Sequence, residues 1–237
     1  MLAGMLHGAG YYMGEELLPP TSSNPKGYFE DRAVNNLNED LLLQLVPAKP
    51  LGPRGRLYPR RLAYGHRWLA ALDAKATVRA TPELQTRMLG LVGRRPFCFK
   101  DPRFCYTLDA WRPFLGDAVF LCIFREPGRT AASMLKDSRE RSYLQDVRLT
   151  RRRALAVWTA MYTHVLERHC QHDGEWLFVH YDQVLEGSAL ARIERAIACK
   201  LNAGFSDPTL KRSPDAGSLP RAAREVYSQL CELAGLP

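Results

Sequence analysis

The sequence has no apolar run long enough to cross a membrane. A membrane-spanning helix needs about 20 consecutive apolar residues, and no stretch of the chain approaches that length. The first residues, MLAGMLHGAGYYMGEE, also lack the basic flank and the cleavage site of a secretory signal peptide. We therefore expect no membrane partner.

Paired cysteine motifs are absent as well. The 6 cysteines are scattered, with no CxxC pair and no histidine spacing typical of zinc. Cys122 lies within an apolar run, where a reduced and buried thiol is the simplest expectation. This usage predicts a reducing compartment, the cytoplasm, and a protein that binds no metal.

A further absence concerns nucleotide-binding loops, since no G-x-x-x-x-G-K-[ST] motif occurs and an ordinary P-loop kinase is disfavoured. Positive charge, in contrast, is abundant. The formal net charge is +8, which predicts anionic partners. The one dense basic cluster, LTRRRAL at 149–155, has no interleaved aromatic residues, so a solvated helix face explains it better than a nucleic-acid site.

Strands and helices alternate in the second half of the 237-residue chain. Apolar runs predict strands at 97–100, 119–124 and 176–181. The 3.6-residue period and the turn residues predict helices at about 1–9, 32–46, 61–74, 81–93, 128–137, 148–170, 187–203 and 219–235. Such alternation is typical of βαβ units, so we predict one α/β domain over 1–237 with a mostly parallel sheet. The continuous apolar strand at 119–124 is expected to be buried on both faces.

Each predicted strand ends in polar residues. The first ends in Lys100 to Arg103 (KDPR), the second in Arg125 to Pro127 (REP), and the third in His180 to Asp182 (HYD). Ligands of parallel sheets bind at the carboxyl ends of the strands, so we expect Lys100 and Arg125 in one anion-binding crevice. Two alternatives stay open: a strand-end arginine is common in solvated ion pairs, and KDPR is also consistent with a turn whose aspartate caps a helix.

Taken together and in this order, these stretches resemble the sulfotransferases that use 3′-phosphoadenosine-5′-phosphosulfate (PAPS), especially their bacterial-type branch. The most specific likeness is an R-x-P element with a serine eight residues after the arginine. The resemblance covers almost the whole chain and implies a P-loop-like three-layer fold with a central parallel sheet flanked by helices. The matching stretches are MGEELLPP…NPKGYFED at 13–31, KDPRFCYTL at 100–108, FREPGRTAAS at 124–133, ALAVWTAMY at 154–162 and VHYDQVL at 179–185.

The resemblance assigns Arg125 and Ser133 to the 3′-phosphate of the nucleotide, and Tyr181 to a nucleotide contact. Arginine suits this role because its planar fork binds two phosphate oxygens at once. Ser133 would lie two turns into a helix whose N-terminal end also favours anions. Lys211 and Arg212 match the basic C-terminal loop of the family more loosely, and an exposed loop explains them as well. His180 is better explained as a strand residue than as a base.

The implied reaction transfers a sulfuryl group from PAPS to a hydroxyl or amine of a small-molecule or glycan acceptor and leaves the nucleotide bisphosphate PAP. Cations must neutralise the sulfuryl oxygens, and a base must take the acceptor's proton. Glu30 and Glu16 rank above His7 as the base, and Lys100 is the candidate cation. Glu16 is also consistent with an exposed loop, and Lys100 with an ion pair to Asp101 or Glu30. No metal or redox cofactor is needed.

One element of the family pattern is missing. The N-terminal strand and the R-S-G-T-type loop, which cradles the 5′-phosphosulfate, do not occur, and residues 1–6 resemble the helix that directly follows that loop. Either the chain is truncated or it is a natural derivative without the loop; the close match elsewhere favours truncation. Each missing charge-assisted hydrogen bond is worth about 1.5–3 kcal/mol. We therefore expect poor PAPS binding and little transfer, with a non-catalytic nucleotide- or anion-binding derivative as the alternative function.

Overall fold

The computed structural model describes residues 1–21, 24–49, 62–140, 144, 147–205 and 217–236. Within these residues the chain is mixed α/β, as predicted from the alternation of elements. The helices are α1 Leu2–Gly8, α2 Arg32–Leu42, α3 Pro82–Val92, α4 Phe104–Leu115, α5 Pro127–Glu140, α6 Arg151–Glu167, α7 Tyr181–Leu185, α8 Leu190–Ala196 and α9 Arg221–Leu233. The strands are β1 Val119–Phe124 and β2 Glu175–His180.

The two strands pair in parallel, in register from Val119 with Glu175 to Phe124 with His180. A parallel pair requires a long crossover, and α5 and α6 supply it between β1 and β2. The predicted parallel pairing of these two apolar runs is therefore confirmed. Both strands end at the same edge, which brings Arg125 close to Tyr181.

Helices cover both faces of the sheet. Leu121 and Ile123 of β1 pack into a cluster with residues of α1 and α8. Cys122 and Phe124 pack on the other face with residues of α6 and α9. Within β1 only Cys122 and Phe124 are buried, and the other four residues are half-buried. The expected burial on both faces is incomplete because the edge of β1 away from β2 borders a cavity of about 620 Å³.

The helix predicted over 61–74 is wrong. Residue 61 lies outside the described part, and the remainder forms turns with a short 3-10 segment at Arg67–Leu69. Gly65 has φ +85°, a left-handed conformation that interrupts a helix. Arg67 is buried and bonded to Glu39. This segment takes its path from a tertiary ion pair, which the periodicity of its own residues cannot reveal.

The strand predicted at 97–100 is also wrong, because the structure has only an isolated parallel bridge between Tyr12 and Phe97. One edge of this extended segment meets Tyr12, and no described strand lies against its other edge. The alternative interpretation of KDPR, a turn before a helix, agrees with the structure, because α4 begins at Phe104 and Oδ1 of Asp101 accepts a hydrogen bond from the backbone N–H of Arg103 at 2.9 Å. A single bridge is too little pairing to define a strand.

The last two differences lie in the C-terminal third. Tyr181 begins α7 instead of ending β2. The helix predicted over 187–203 is confined to α8, and Ala198 with φ 50° stands in the left-handed region just after it. Among the described helices, none is both long and apolar enough to cross a lipid bilayer.

Candidate functional site

Arg125 follows β1 directly and is half-buried at the carboxyl edge of the sheet. Its guanidinium carbon lies 4.6 Å from the centre of the Tyr181 ring, a cation–π contact. The Nε atom of Arg125 is buried and has no hydrogen-bond partner among the described residues. Buried polar groups are nearly always bonded, so this nitrogen is a donor for which the described chain supplies no acceptor.

The N-terminal end of α5 lies beside Arg125 but is already capped by the chain. The Glu126 carboxylate accepts hydrogen bonds from the backbone N–H groups of Gly128 at 2.9 Å and Arg129 at 2.6 Å. The expectation that this helix end helps to hold an anion is therefore wrong, because an internal carboxylate occupies these donors. An anion at Arg125 would depend on the guanidinium.

The other residues expected at the nucleotide lie in different environments. Ser133 is exposed on α5, two turns after the helix begins. Tyr181 is half-buried at the start of α7. Lys211 and Arg212 lie outside the described residues. The structure therefore brings Arg125 and Tyr181 into contact and leaves Ser133 exposed on α5.

His180 has a structural role. Its Nδ1 accepts a hydrogen bond from the backbone N–H of Asp182 at 3.1 Å, and its Nε2 lies 3.2 Å from the hydroxyl of Tyr227. Gln183 completes the capping box by accepting from the backbone N–H of His180. The ring is only 6% exposed. These contacts explain the histidine as the cap of α7, in line with its placement as a strand-end residue rather than a base.

Lys100 and Glu30 form an ion pair, with 2.5 Å between Nζ and Oε1. The Glu30 side chain is 13% exposed and the Lys100 side chain 41%. The Nδ2 of Asn35 donates to the other Glu30 oxygen at 3.3 Å. Of the two roles left open for Lys100, the ion pair with Glu30 is present, and it also places a carboxylate and an ammonium group side by side.

Phe29 holds Glu30 in place through an unusual backbone. Its φ is 54°, in the left-handed region where a bulky residue is strained by about 1–3 kcal/mol. The Phe29 ring packs between His7, at 5.6 Å between centroids, and Phe205, at 5.8 Å. Packing on both sides of the ring stabilises this conformation and so fixes the position of Glu30, the next residue. No pattern in the sequence predicts the left-handed conformation of Phe29.

Glu16, the other candidate base, lies at the surface. It pairs with Arg32 at 2.9 Å, and both side chains are more than half exposed. Its backbone N–H donates to the buried carboxylate of Asp31. An exposed ion pair of this kind contributes little to stability and leaves the carboxylate in water. The structure therefore supports the exposed-loop interpretation of Glu16 more than a role beside Lys100.

A buried polar network, which the sequence analysis did not predict, lies next to the Lys100 segment. Glu39 binds Arg67 at 2.7 Å and Arg103 at 2.7 Å, and Arg103 also binds Asp101 at 2.9 Å. Asn38 donates to the second oxygen of Asp101 at 3.0 Å. The network fixes the turn that begins after Lys100. The available signal was a charged residue, Glu39, between the buried leucines of α2.

Two pKa shifts describe the electrostatics near Lys100. Burial raises the pKa of Asp101, the charge of Glu30 adds to this effect, and Arg103 opposes it. Burial also lowers the pKa of the Met1 amino group to about 6, with further lowering by Lys100 and Lys26. The positive charges of Lys100 and Lys26 therefore act on the Met1 amino group and favour its neutral form.

The candidate residues thus form two clusters. Arg125 and Tyr181 lie at the carboxyl edge of the sheet, whereas Glu30 and Lys100 lie beside the turn before α4. Among the described residues, no hydrogen bond or ion pair joins the clusters. Comparison with known proteins adds nothing to this picture, since no family model, curated protein or solved structure matches the chain.

Proposed function

We propose that the chain is a relative of the PAPS-dependent sulfotransferases and binds the 3′-phosphate of PAPS or PAP through Arg125. The observation that carries the proposal is the buried Nε of Arg125, which lacks an acceptor among the described residues and lies at a parallel strand's carboxyl end. Tyr181 contacts the guanidinium of Arg125 through the face of its ring, so this contact uses none of the N–H donors of Arg125. Helices on both faces of the sheet support the P-loop-like three-layer arrangement that this function implies.

The proposed reaction is in-line sulfuryl transfer. The acceptor's oxygen or nitrogen forms a bond to sulfur as the bond from sulfur to the nucleotide's phosphate oxygen breaks, and the acceptor's proton passes to a base. Glu30 is the proposed base and Lys100 the proposed cation for the sulfuryl oxygens, because they are held 2.5 Å apart at one place. Ser133 and the loop containing Lys211 and Arg212 complete the proposed nucleotide contacts.

The R-S-G-T-type loop for the 5′-phosphosulfate is absent from this sequence, so we expect PAP to bind more weakly than micromolar. Weak binding is measured by nuclear magnetic resonance, with the Nε–H signal of Arg125 followed during titration with PAP and, separately, with AMP. A 3′-phosphate site predicts a shift with PAP and at least tenfold weaker binding of AMP, which lacks that phosphate. Equal affinity for the two nucleotides would contradict the proposal, whereas micromolar binding of PAP would contradict only the expected weakening by the missing loop.

Two variants sharpen the test. Arg125→Lys keeps the charge and removes the fork, so loss of one charge-assisted hydrogen bond, about 1.5–3 kcal/mol, weakens PAP binding by about tenfold or more. Arg139→Lys is the control, since it makes the same exchange at the far end of α5. An unchanged affinity in Arg125→Lys would show that Arg125 does not bind the 3′-phosphate.

The alternative, a non-catalytic nucleotide- or anion-binding protein, is favoured by one observation. Glu30 and Lys100 neutralise each other in a half-buried ion pair, so neither is free for a substrate unless the pair opens. The two functions differ in turnover. Transfer of radioactive sulfate from PAPS to a phenol, amine or sugar acceptor that is lost in Glu30→Gln supports the enzyme. PAP binding without any transfer supports the binding protein.

A further inference from the structure

His169 lies in the short connection between α6 and β2, which contains a 3-10 turn at His169–Gln171. Its side chain is 0% exposed. The ring faces α4, where Cys105 and Asp109 lie one helical turn apart and both contact it. None of the residues assigned above to a nucleotide or an acceptor contacts this ring. The function of the buried histidine must therefore be sought in its own contacts.

Both ring nitrogens of His169 face hydrogen-bond acceptors. Nδ1 lies 3.0 Å from Oδ1 of Asp109, and Nε2 lies 3.0 Å from the backbone carbonyl oxygen of Cys105. An ionised carboxylate and a carbonyl can only accept, whereas a neutral imidazole has one donor and one acceptor. A neutral ring here would direct a lone pair at one of the two oxygens, which is unfavourable for buried groups. Only the doubly protonated ring satisfies both contacts.

Asp109 is in the ionised form that this arrangement requires. Its Oδ2 pairs with Nε of Arg168, while its Oδ1 faces His169. Burial alone would raise the pKa of Asp109, but hydrogen bonds from His169 and Arg168 outweigh burial and hold that pKa well below its usual range. The carboxylate therefore supplies the counter-charge that a buried imidazolium needs.

The other titratable and charged groups around the ring carry no negative charge. They are Cys105 and Arg112 of α4, His164 and Arg168 of α6, and Cys170 of the connection. Burial raises the pKa of Cys105 to about 12 and that of Cys170 to about 11, so both thiols are neutral. Arg112 donates to the backbone carbonyl of His169 at 2.6 Å. Burial lowers the pKa of His164 to about 4, and the charge of His169 lowers it further, so one of these two neighbouring rings is charged and the other neutral.

We propose that His169, Asp109 and the Cys105 carbonyl form a proton-dependent clamp, which joins α4 to the connection into β2 while His169 carries two protons. When the Nε2 proton leaves to solvent at alkaline pH, a lone pair faces the carbonyl oxygen and this contact becomes repulsive. The Nδ1 proton stays with the carboxylate of Asp109. The clamp is therefore closed at neutral pH and opens at alkaline pH, and it does not depend on the nucleotide role of Arg125.

Nuclear magnetic resonance of the chain with ¹⁵N-labelled histidine counts the ring protons directly. At pH 8 we expect two ring N–H groups on His169. The exposed His172 is the internal reference and should carry one, since an exposed histidine loses its second proton near pH 6.5. At higher pH, the ¹³C signals of residues 169–174 should shift together with loss of the Nε2 proton. A single N–H on His169 at pH 8, or loss of the proton without these shifts, overturns the proposal.

The clamp also predicts a pH dependence that a histidine with a merely structural role would not show. Between pH 6.5 and 8 the unfolded chain has lost this proton and the native chain retains it, so the clamp's contribution to stability is complete below pH 6.5 and declines above it. Relative to His169→Gln, the equilibrium constant for unfolding in urea should rise about tenfold per pH unit in this interval. His172→Gln is the matched control and should parallel the unsubstituted chain. Parallel pH profiles of the unsubstituted chain and His169→Gln contradict the clamp; if His169→Gln does not fold, the count of ring protons decides.

Discussion

Replacing Glu39 by glutamine removes the one negative charge that two buried arginines share. Glu39 is 1% exposed, and its carboxylate lies 2.7 Å from Arg67 and 2.7 Å from Arg103. Glutamine has nearly the same shape, so no cavity forms and packing is retained. Its amide group, however, turns N–H donors toward guanidinium groups that are donors themselves. Arg103 keeps Asp101 as a partner, whereas Arg67 loses its ion pair.

The expected loss follows from burial. Breaking a buried ion pair on one side destabilises a protein by about 3–5 kcal/mol, because the remaining charge stays in the interior without its counter-charge. That is a large part of the about 5–15 kcal/mol by which native proteins are stable. Urea unfolding, followed by circular dichroism, measures it. With a slope of about 3 kcal/mol per molar urea, the midpoint falls by about 1 M or more.

Asp40→Asn is the matched control, one residue further along α2. Asp40 pairs with Arg87 at 3.1 Å, and both side chains are one-third exposed or more. Water screens this pair, so its removal changes the free energy of unfolding by less than about 1 kcal/mol. If Glu39→Gln were no more destabilising than Asp40→Asn, the argument that burial makes the Glu39 network important would be refuted.

Two further predictions concern pH and backbone strain. Burial lowers the pKa of His164 to about 4, and the positive charges of His169 and Arg168 add to this effect. The unfolded chain therefore takes up this proton below about pH 6.5 while the native chain does not, and stability falls as pH drops from 6.5 to 4. Between pH 6.5 and 4, the free energy of unfolding in urea should fall by about 3 kcal/mol more in the unsubstituted chain than in His164→Phe. Parallel pH profiles of the two proteins would contradict this prediction. Gly14 has φ +122°, and an added Cβ would lie 2.2 Å from Asp31. We therefore expect Gly14→Ala to destabilise the chain by at least about 1–3 kcal/mol in thermal unfolding. Gly8→Ala is the control and should not destabilise the chain, because Gly8 lies within α1 with open space where the Cβ would be.

Elements with a strong local pattern were predicted from the sequence. The apolar run at 119–124 is β1, and the 3.6-residue period over 148–170 contains α6. The apolar residues of each segment follow the pattern of a single element, so the segment's own residues determine that element. The segment 61–74 shows the opposite case. Its periodic apolar residues suggest a helix, but the buried bond from Arg67 to Glu39 draws the chain into turns.

The candidate site also has features that the sequence predicts and features that only the structure shows. Arg125 could be placed at a strand's carboxyl end from the sequence, because the apolar run stops at that residue. The contact with Tyr181 follows from parallel pairing of β1 with β2. The capping of α5 by Glu126 could have been expected from an acidic residue before a helix, which is a known cap signal. The nucleotide role of these residues remains a prediction.

The sequence by itself determined the mixed α/β class, the parallel strand pair and the cation that follows β1, because apolar runs and periodic faces encode local structure directly. The tertiary structure alone decided which charges meet. Glu30 reaches Lys100 across 70 positions of the chain, and Glu39 reaches Arg103 across 64. Such pairs depend on how helices pack and on one strained residue, Phe29, and no periodicity records either.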